Sequence, residues 1–302
     1  MPTMKFTRRR FLVAGAALAT TGLTFREARA ARRAEPRKLL HCLSNEAYSF
    51  DRLFEQGKLT LLTLPELQKS LDIRGASLHE IYFKSWEKEY LDRILESFKS
   101  NGRRISALII GGNLATANEE ARKKQIESNI AKLKAAAYLG APVVRMNPGG
   151  VAKGEDSARE GIDRVVAAFK QILPVAQDLG VRLTMENHGG VAASVENILE
   201  VIRRTDPSWM GCTLDFGNEP VRQNPEVFKR LAPWAWHTHA KLESFKADGE
   251  ATDSDYGKLL GILKGQAYPG AVSIEWEGKG EAIDGVKRTR ALILKHWPDL
   301  PN

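Results

Sequence analysis

The chain has 302 residues and a formal net charge of +8, and 43% of its residues are hydrophobic. It is long enough to bury a substantial core, and its first 30 residues contribute +5 of the charge, which leaves +3 for the remainder. A net charge of only +3 over residues 31–302 argues against nucleic-acid binding, which usually needs a concentrated basic face. The two cysteines do not form a pair with metal-site spacing.

Residues 1–30 are typical of a twin-arginine export signal. The motif Thr7-Arg-Arg-Arg-Phe-Leu12 precedes a short apolar run that ends near Leu23, and Ala28-Arg-Ala30 offers small residues for cleavage. The apolar run is well short of the ~20 residues that span a bilayer, which argues against a membrane anchor. We therefore expect the twin-arginine translocase to export the protein to the periplasm, where the mature chain begins near Ala31 without an anchor.

After the signal, eight strand-like runs alternate with eight helix-like runs. The strands are expected at Lys38–Ser44, Gly75–Glu80, Ile105–Ile110, Pro142–Met146, Val181–Glu186, Met210–Asp215, Ala235–Ala240 and Ala271–Trp276. Several helical patterns stop at a glycine, and Pro174 is expected to kink or interrupt the helix predicted over Asp156–Leu179. The alternation, without a repeat or an interdomain linker, predicts one α/β domain over residues 31–302, a (β/α)8 TIM barrel.

Four consecutive predicted strands end at or near a side chain that can bind a metal. These side chains are Glu186, Asp215, His239 and Glu275, separated by 29, 24 and 36 residues. Parallel strands need crossovers of about a dozen residues or more, so the spacings fit four strands whose carboxyl ends share one barrel face. A lone strand-end carboxylate or histidine is more often solvated or structural, but four in register on one functional face favour a common site.

Three carboxylates and one imidazole form an oxygen-rich ligand set. Such a set favours Mn²⁺, Mg²⁺ or Co²⁺ over a thiolate-type zinc site. Zn²⁺ stays open as an alternative, because raw affinity ranks it above manganese. The sequence therefore predicts one divalent cation, with Mn²⁺ as the first choice, and it predicts no particular oligomeric state.

The segments around these ligands resemble the xylose isomerase-like TIM barrels of the sugar phosphate isomerase/epimerase superfamily. The matching motifs are Thr184-Met-Glu-Asn-His-Gly189, Leu214-Asp-Phe-Gly-Asn218, His237-Thr-His-Ala-Lys241 and Ile274-Glu-Trp-Glu-Gly278. The resemblance covers essentially the whole mature chain. In its ketose 3-epimerases, the residues that match the four candidate ligands bind one divalent metal. Those that match Glu186 and Glu275 also move protons on opposite faces of the substrate.

The resemblance implies a divalent-metal-dependent isomerase or epimerase that acts on a small sugar or keto-sugar by enolate-type proton transfer. Glu186 and Glu275 are the expected catalytic residues, and Lys241 and His188 are further acid/base candidates. Gly75–Glu80 resembles the family's second strand, and Arg145-Met-Asn-Pro-Gly149 resembles its fourth. The residues expected to bind substrate are Glu80, Arg145, Asn147 and His237.

Two other functions compete with this interpretation. A metal-dependent lyase or dehydratase, acting on a keto-sugar or a cyclitol, would need the same cation, base and acid. A non-catalytic exported sugar-binding protein would not need two glutamates around a cation, so the intact ligand set argues against it. The endonuclease IV branch carries an extra histidine where this chain has Asn218, which argues against DNA repair.

Overall fold

Eight parallel strands close into a barrel in which each strand pairs with its neighbours in chain order. The computed structural model describes residues 34–151, 158–222 and 224–302, and the eight strands all lie within these ranges. They are β1 Leu43–Glu46, β2 Gly75–His79, β3 Arg104–Ile110, β4 Val143–Met146, β5 Arg182–Glu186, β6 Met210–Asp215, β7 Ala235–Leu242 and β8 Ala271–Trp276. β1 pairs with β8 as well as with β2, which closes the ring. The predicted (β/α)8 architecture is confirmed.

A helix follows each strand, and an extra short helix, α1, lies in the loop after β1. The helices are α1 Asp51–Glu55, α2 Leu64–Ser70, α3 Lys88–Ser100, α4 Glu119–Tyr138, α5 Ala158–Leu179, α6 Val195–Arg204, α7 Pro225–Leu231, α8 Tyr256–Gly265 and α9 Ala282–His296. α5 runs without interruption through Pro174, so of the two predicted effects, a kink or an interruption, the interruption is wrong. The helix loses one backbone hydrogen bond there, but buried side chains such as Val165, Phe169 and Ile172 hold its inner face on the barrel.

β1 lies later in the chain than predicted. The sequence predicts the strand over Lys38–Ser44, yet pairing with β2 and β8 begins only near Leu43. Three of its four residues are polar, and all four are buried. The shift makes Glu46 the last residue of a barrel strand, where functional side chains of this fold are found.

The barrel interior is polar below the mouth. Hydroxyl pairs 2.7–2.9 Å apart link strands inside it, namely Ser44 with Ser106, Ser77 with Ser273 and Thr184 with Thr213. The main apolar core lies instead where alternate strand residues, such as Leu78 and Leu183, join helix residues in one cluster. Because the interior hydroxyls satisfy one another, they form a stable polar floor under the charged residues at the mouth.

The predicted signal, residues 1–30, lies outside the described residues, and residues 34–302 form one compact unit. Within the described part of the chain, no helix combines the length and the apolar character that crossing a bilayer requires.

Candidate metal and active site

Four side chains at the carboxyl ends of β5 to β8 converge on one point. Glu186 and Asp215 are the last residues of β5 and β6, and Glu275 is the penultimate residue of β8. His239 on β7 pairs in register with Asp215 on one side and Ser273 on the other. All four side chains are buried, and each offers a ligand atom within 4.8 Å of the other three. The fold thus brings together the four ligands expected from the sequence.

The Nδ1 edge of His239 faces the three carboxylates. Nδ1 lies 3.1 Å from Oε1 of Glu186, 3.6 Å from Oε2 of Glu275 and 4.0 Å from Oδ2 of Asp215. A metal-binding imidazole uses one ring nitrogen and directs the other away from the metal. Nδ1 is therefore the nitrogen placed to join the carboxylate oxygens as a ligand.

The donor set fits a divalent cation. Oδ2 of Asp215 and Oε2 of Glu275 are buried and accept no hydrogen bond among the described residues. Buried carboxylate oxygens without a partner are costly unless a cation or a hydrogen bond compensates them. Three carboxylates and one imidazole nitrogen, all reaching the same point, match the ligand preference of manganese and magnesium better than that of a soft metal.

Backbone and amide groups hold Asp215 in place. Its Oδ1 accepts hydrogen bonds from the backbone N–H groups of Gly217 (2.7 Å) and Asn218 (2.6 Å). Asn187 forms two bonds to its backbone, accepting from the N–H at 2.8 Å and donating to the carbonyl at 3.1 Å. With Oδ1 occupied and the backbone fixed, Oδ2 is left to point at the cluster.

Burial and mutual charge shift the pKa values of the clustered side chains in directions that favour a nearby positive charge. Burial raises the pKa of Asp215 well above its usual range, and the carboxylates of Glu275 and Glu186 raise it further. Burial opposes ionisation of Glu186, but Arg145 and His239 outweigh it and hold the pKa of Glu186 well below its usual range. Burial also disfavours the charged form of His239, yet Glu275 and Glu186 raise its pKa to about 10.

Two cationic side chains flank the cluster from different strands. Arg145 on β4 is buried and forms an ion pair with Oε2 of Glu186. Lys241 on β7 is 11% exposed, and its Nζ lies 2.8 Å from Oε1 of Glu277. Burial disfavours the ammonium, but Glu275 and Asp215 outweigh it and raise the pKa of Lys241. Lys241 therefore carries its proton and can donate hydrogen bonds, whereas a role as a base is disfavoured.

The other predicted site residues have different surroundings. Glu80 is held by the backbone N–H of Gly111 at 2.5 Å and by an ion pair with Lys132 on α4. Asn147 accepts a hydrogen bond from the N–H of Gly149 at 3.0 Å, so its side-chain oxygen shapes the loop after β4. Both residues lie at the mouth, but these contacts already occupy oxygens that a substrate would use.

The two further histidines expected at the site differ in exposure. His188, after β5, is exposed, and its Nδ1 accepts from the N–H of Gly189 at 2.9 Å. His237 is completely buried one layer below His239, with the two rings edge to face and their centroids 5.5 Å apart. Burial and the neighbouring His239 hold the pKa of His237 well below its usual value. His188 is therefore open to a substrate, whereas His237 has no exposed surface to offer one.

Sequence reasoning missed three residues that contact the cluster. Asn187 and Asn218 are neighbours of predicted ligands, and Asn218 donates to Oε1 of Glu186 at 3.2 Å. Glu46 is fully buried, and its Oε2 lies 3.9 Å from Nε2 of His239. The alternation of Ser44 and Glu46 on one face is the available signal, but the strand predicted from the sequence stops at Ser44.

The fold and site together define a (β/α)8 barrel with a buried cluster of three carboxylates and one imidazole at its mouth, a group that could hold a metal ion. The model of the xylose isomerase-like TIM barrel family matches residues 69–296, and the chain belongs to this family. The chain is similar in sequence to the uncharacterized protein MJ1311 of Methanocaldococcus jannaschii. The two are 26% identical over 204 residues, which are 63% of this chain and 68% of that protein.

Solved structures with the same fold include sugar epimerases and a dehydratase. A D-psicose 3-epimerase from Clostridium cellulolyticum H10, solved with D-tagatose, has a TM-score of 0.71 and 13% identity, and the match covers 86% of this chain and all of that one. The probable 3-DHS dehydratase AsbF from Bacillus anthracis has a TM-score of 0.65 and 17% identity, with 83% and 98% covered. At these identities the likeness concerns the fold.

Proposed function

We propose that the protein is a divalent-metal-dependent isomerase or epimerase of a small sugar or keto-sugar. The observation that carries the proposal is the buried cluster of Glu186, Asp215, His239 and Glu275, whose ligand atoms lie within 4.8 Å of one another. Membership of the xylose isomerase-like family and the shared fold of sugar epimerases support it. Mn²⁺ is the proposed cation because the set is rich in oxygen ligands.

In this proposal, the reaction moves a proton at a carbon next to a carbonyl. A bound divalent cation would polarise the carbonyl and lower the pKa of the adjacent C–H. Glu186 and Glu275 stand on β5 and β8, which are separated by β6 and β7 on one arc of the ring and by four strands on the other. One carboxylate can therefore remove a proton from one face of a substrate, and the other can return a proton to the opposite face.

The flanking cations have distinct parts in the proposed chemistry. Arg145 pairs with Glu186 and keeps that carboxylate ionised, so that it is ready to accept a proton. Lys241 lies beside Glu275 and Asp215 and remains protonated. Its ammonium can donate a hydrogen bond to a substrate oxygen and stabilise negative charge that develops there.

The position of Lys241 also supports a second candidate, a lyase or dehydratase. An ammonium beside the proposed bases could protonate a departing oxygen, which an elimination needs and an epimerisation does not. The fold shared with the probable dehydratase AsbF is consistent with this chemistry on the same barrel. The two reactions share their first step and differ in whether the proton returns to carbon or a leaving group departs.

Proton exchange with solvent is the test of the proposal. We expect the Mn²⁺-loaded protein, incubated in D2O with keto-sugars, cyclitols and oxidised glycosides, to introduce deuterium next to the carbonyl of at least one compound. Mass spectrometry and NMR would detect the label, and chelation should abolish it. An unsaturated product would identify the lyase instead. Calorimetric sugar binding without exchange, with or without Mn²⁺, would contradict both reactions and favour a binding protein.

We also propose that residues 1–30 direct export by the twin-arginine translocase to the periplasm. The support is the motif around Arg8 and Arg9 before a weakly apolar run. Replacing both arginines with lysine should leave the precursor in the cytoplasm, as cell fractionation and immunoblotting would show. Periplasmic processing of the double variant at the normal level would remove this assignment.

A further inference from the structure

Glu46 is a buried carboxylate for which the proposed reaction gives no role. It is the last residue of β1 and is fully buried. Neither of its carboxylate oxygens has a hydrogen-bond partner among the described residues. An ionisable group in such a position is costly to fold, because burial removes its hydration without a compensating bond. A specific partner nearby would account for its presence.

The group that faces Glu46 is the far nitrogen of the metal-site histidine. Nε2 of His239 is also buried and without a hydrogen-bond partner among the described residues. It lies 3.9 Å from Oε2 of Glu46. The three carboxylates of the cluster contact the Nδ1 edge of the same ring instead. Glu46 is thus on the opposite side of the imidazole from the proposed cation, which places it outside the ligand set.

We propose that Glu46 is a positioning residue that accepts the Nε2–H of His239 and so fixes Nδ1 as the metal-binding nitrogen. The inference rests on the proposed metal centre. Imidazoles that bind metals commonly donate their other N–H to a carboxylate, which sets the tautomer and the ring orientation. Here the carboxylate comes from β1, which is separated from β7 only by β8, so the closure of the ring between β8 and β1 is what brings the two together.

Nε2 of His239 and Oε2 of Glu46 lie at an ion-pair distance in the described structure. At 3.9 Å the two atoms are beyond hydrogen-bond distance, and a shift of about 1 Å would bring them to the usual 2.9 Å. Ser77, Glu275 and Arg145 are the other polar groups near Glu46. None of them meets hydrogen-bond geometry with its oxygens within the described structure. The Ser77 hydroxyl is nevertheless near enough to favour the ionised form and lower the pKa of Glu46, against the larger effect of burial, which raises it.

Cobalt titration of Glu46 variants tests the role. Co²⁺ alone is the probe, with affinity measured by calorimetry and the imidazole N–H observed by paramagnetic proton NMR. We expect Glu46→Leu to weaken Co²⁺ binding by about 10–100-fold, the range for loss of an outer partner of a metal ligand. Glu46→Gln retains a carbonyl acceptor, so its loss of affinity should be smaller. The wild type should show a shifted solvent-exchangeable resonance that Glu46→Gln moves and Glu46→Leu abolishes.

A matched control separates positioning from general damage to the barrel. Gln68→Leu also removes a buried polar side chain, one that donates to the carbonyl of Gly75 at 3.1 Å, at the amino end of β2. It should change thermal stability without changing Co²⁺ affinity or the resonance. Thermal unfolding of each metal-free variant shows whether it is folded. If Glu46→Leu does not fold, Glu46→Gln still tests the role. Replacing the carboxylate by an amide changes the acceptor of the His239 N–H, so the imidazole N–H resonance must move if Glu46 accepts that hydrogen.

The experiment distinguishes failure of the proposed metal centre from failure of the proposed role of Glu46. A wild type that binds no Co²⁺ overturns the proposed metal centre and this inference with it. A wild type that binds Co²⁺, with unchanged affinity and resonance in the Glu46 variants, overturns the role of Glu46 and leaves the metal centre intact. Affinity lost in Glu46→Leu with the imidazole resonance retained would make Glu46 a ligand instead, which also contradicts the proposal.

Discussion

Glu186→Gln and Glu275→Gln are each expected to lower kcat by at least about 10²-fold. General acid or base catalysis by a positioned side chain is worth about 10²–10⁴-fold, and glutamine cannot accept the proton. The amide keeps an oxygen at each position, so some metal binding should survive and the loss should be mainly in kcat. The measurement is turnover of the compound identified by deuterium exchange, with metal content determined for each variant.

The exposed Glu127 on α4 provides the matched control. Glu127→Gln makes the same chemical change on the exposed face of a helix, outside the ligand cluster, and should leave kcat unaltered. Near-normal turnover in both site variants with full metal occupancy would show that neither carboxylate moves the proton. The acid/base role would then pass to Lys241 and His188, and the lyase would become the better interpretation.

Asp215→Ala is expected to remove the metal while leaving the barrel folded. The substitution deletes a carboxylate whose Oδ2 points into the cluster, and the side chain lies at the end of β6 instead of in the apolar core. We expect the Kd for Mn²⁺ to rise by more than the about 10–100-fold that loss of an outer-shell partner causes. Calorimetric titration and metal analysis would measure the change, and circular dichroism would report the fold.

Asp163→Ala is the control for this variant. Asp163 lies on α5, is about half exposed and pairs with Arg204 at 2.7 Å, so its loss removes an aspartate without touching the mouth. Its Mn²⁺ affinity should equal that of the wild type. Stoichiometric, tight Mn²⁺ binding by folded Asp215→Ala would contradict the proposed site.

Much of the fold was predictable because most strands are apolar runs between turn residues. β6 and β8 have the predicted bounds, Met210–Asp215 and Ala271–Trp276, since each is a compact run preceded by turn-forming residues. β1 could not be located in this way. Its sequence, Leu-Ser-Asn-Glu, resembles a loop, and only a barrel with a polar interior makes Ser44 and Glu46 suitable inward-facing residues.

The candidate site was predictable where residue type and strand position agree. Strand ends carrying carboxylate or imidazole groups are brought together by the closure of a parallel barrel, which the sequence pattern already predicts. The residues that contact the candidate ligands, Asn187 and Glu46, were not predictable. Asn187 bonds the backbone of Asp215 on the next strand, and Glu46 reaches His239 from β1, two strands along the closed ring. Both contacts depend on distances between strands, which the sequence pattern does not give.

Anomalous diffraction from crystals grown with Mn²⁺ tests the central claim most directly. The account predicts one strong anomalous peak at the barrel mouth, within about 2.0–2.3 Å of carboxylate oxygens of Glu186, Asp215 and Glu275 and of Nδ1 of His239. A fully ordered mouth without a peak, or a manganese ion bound by other side chains, would contradict it.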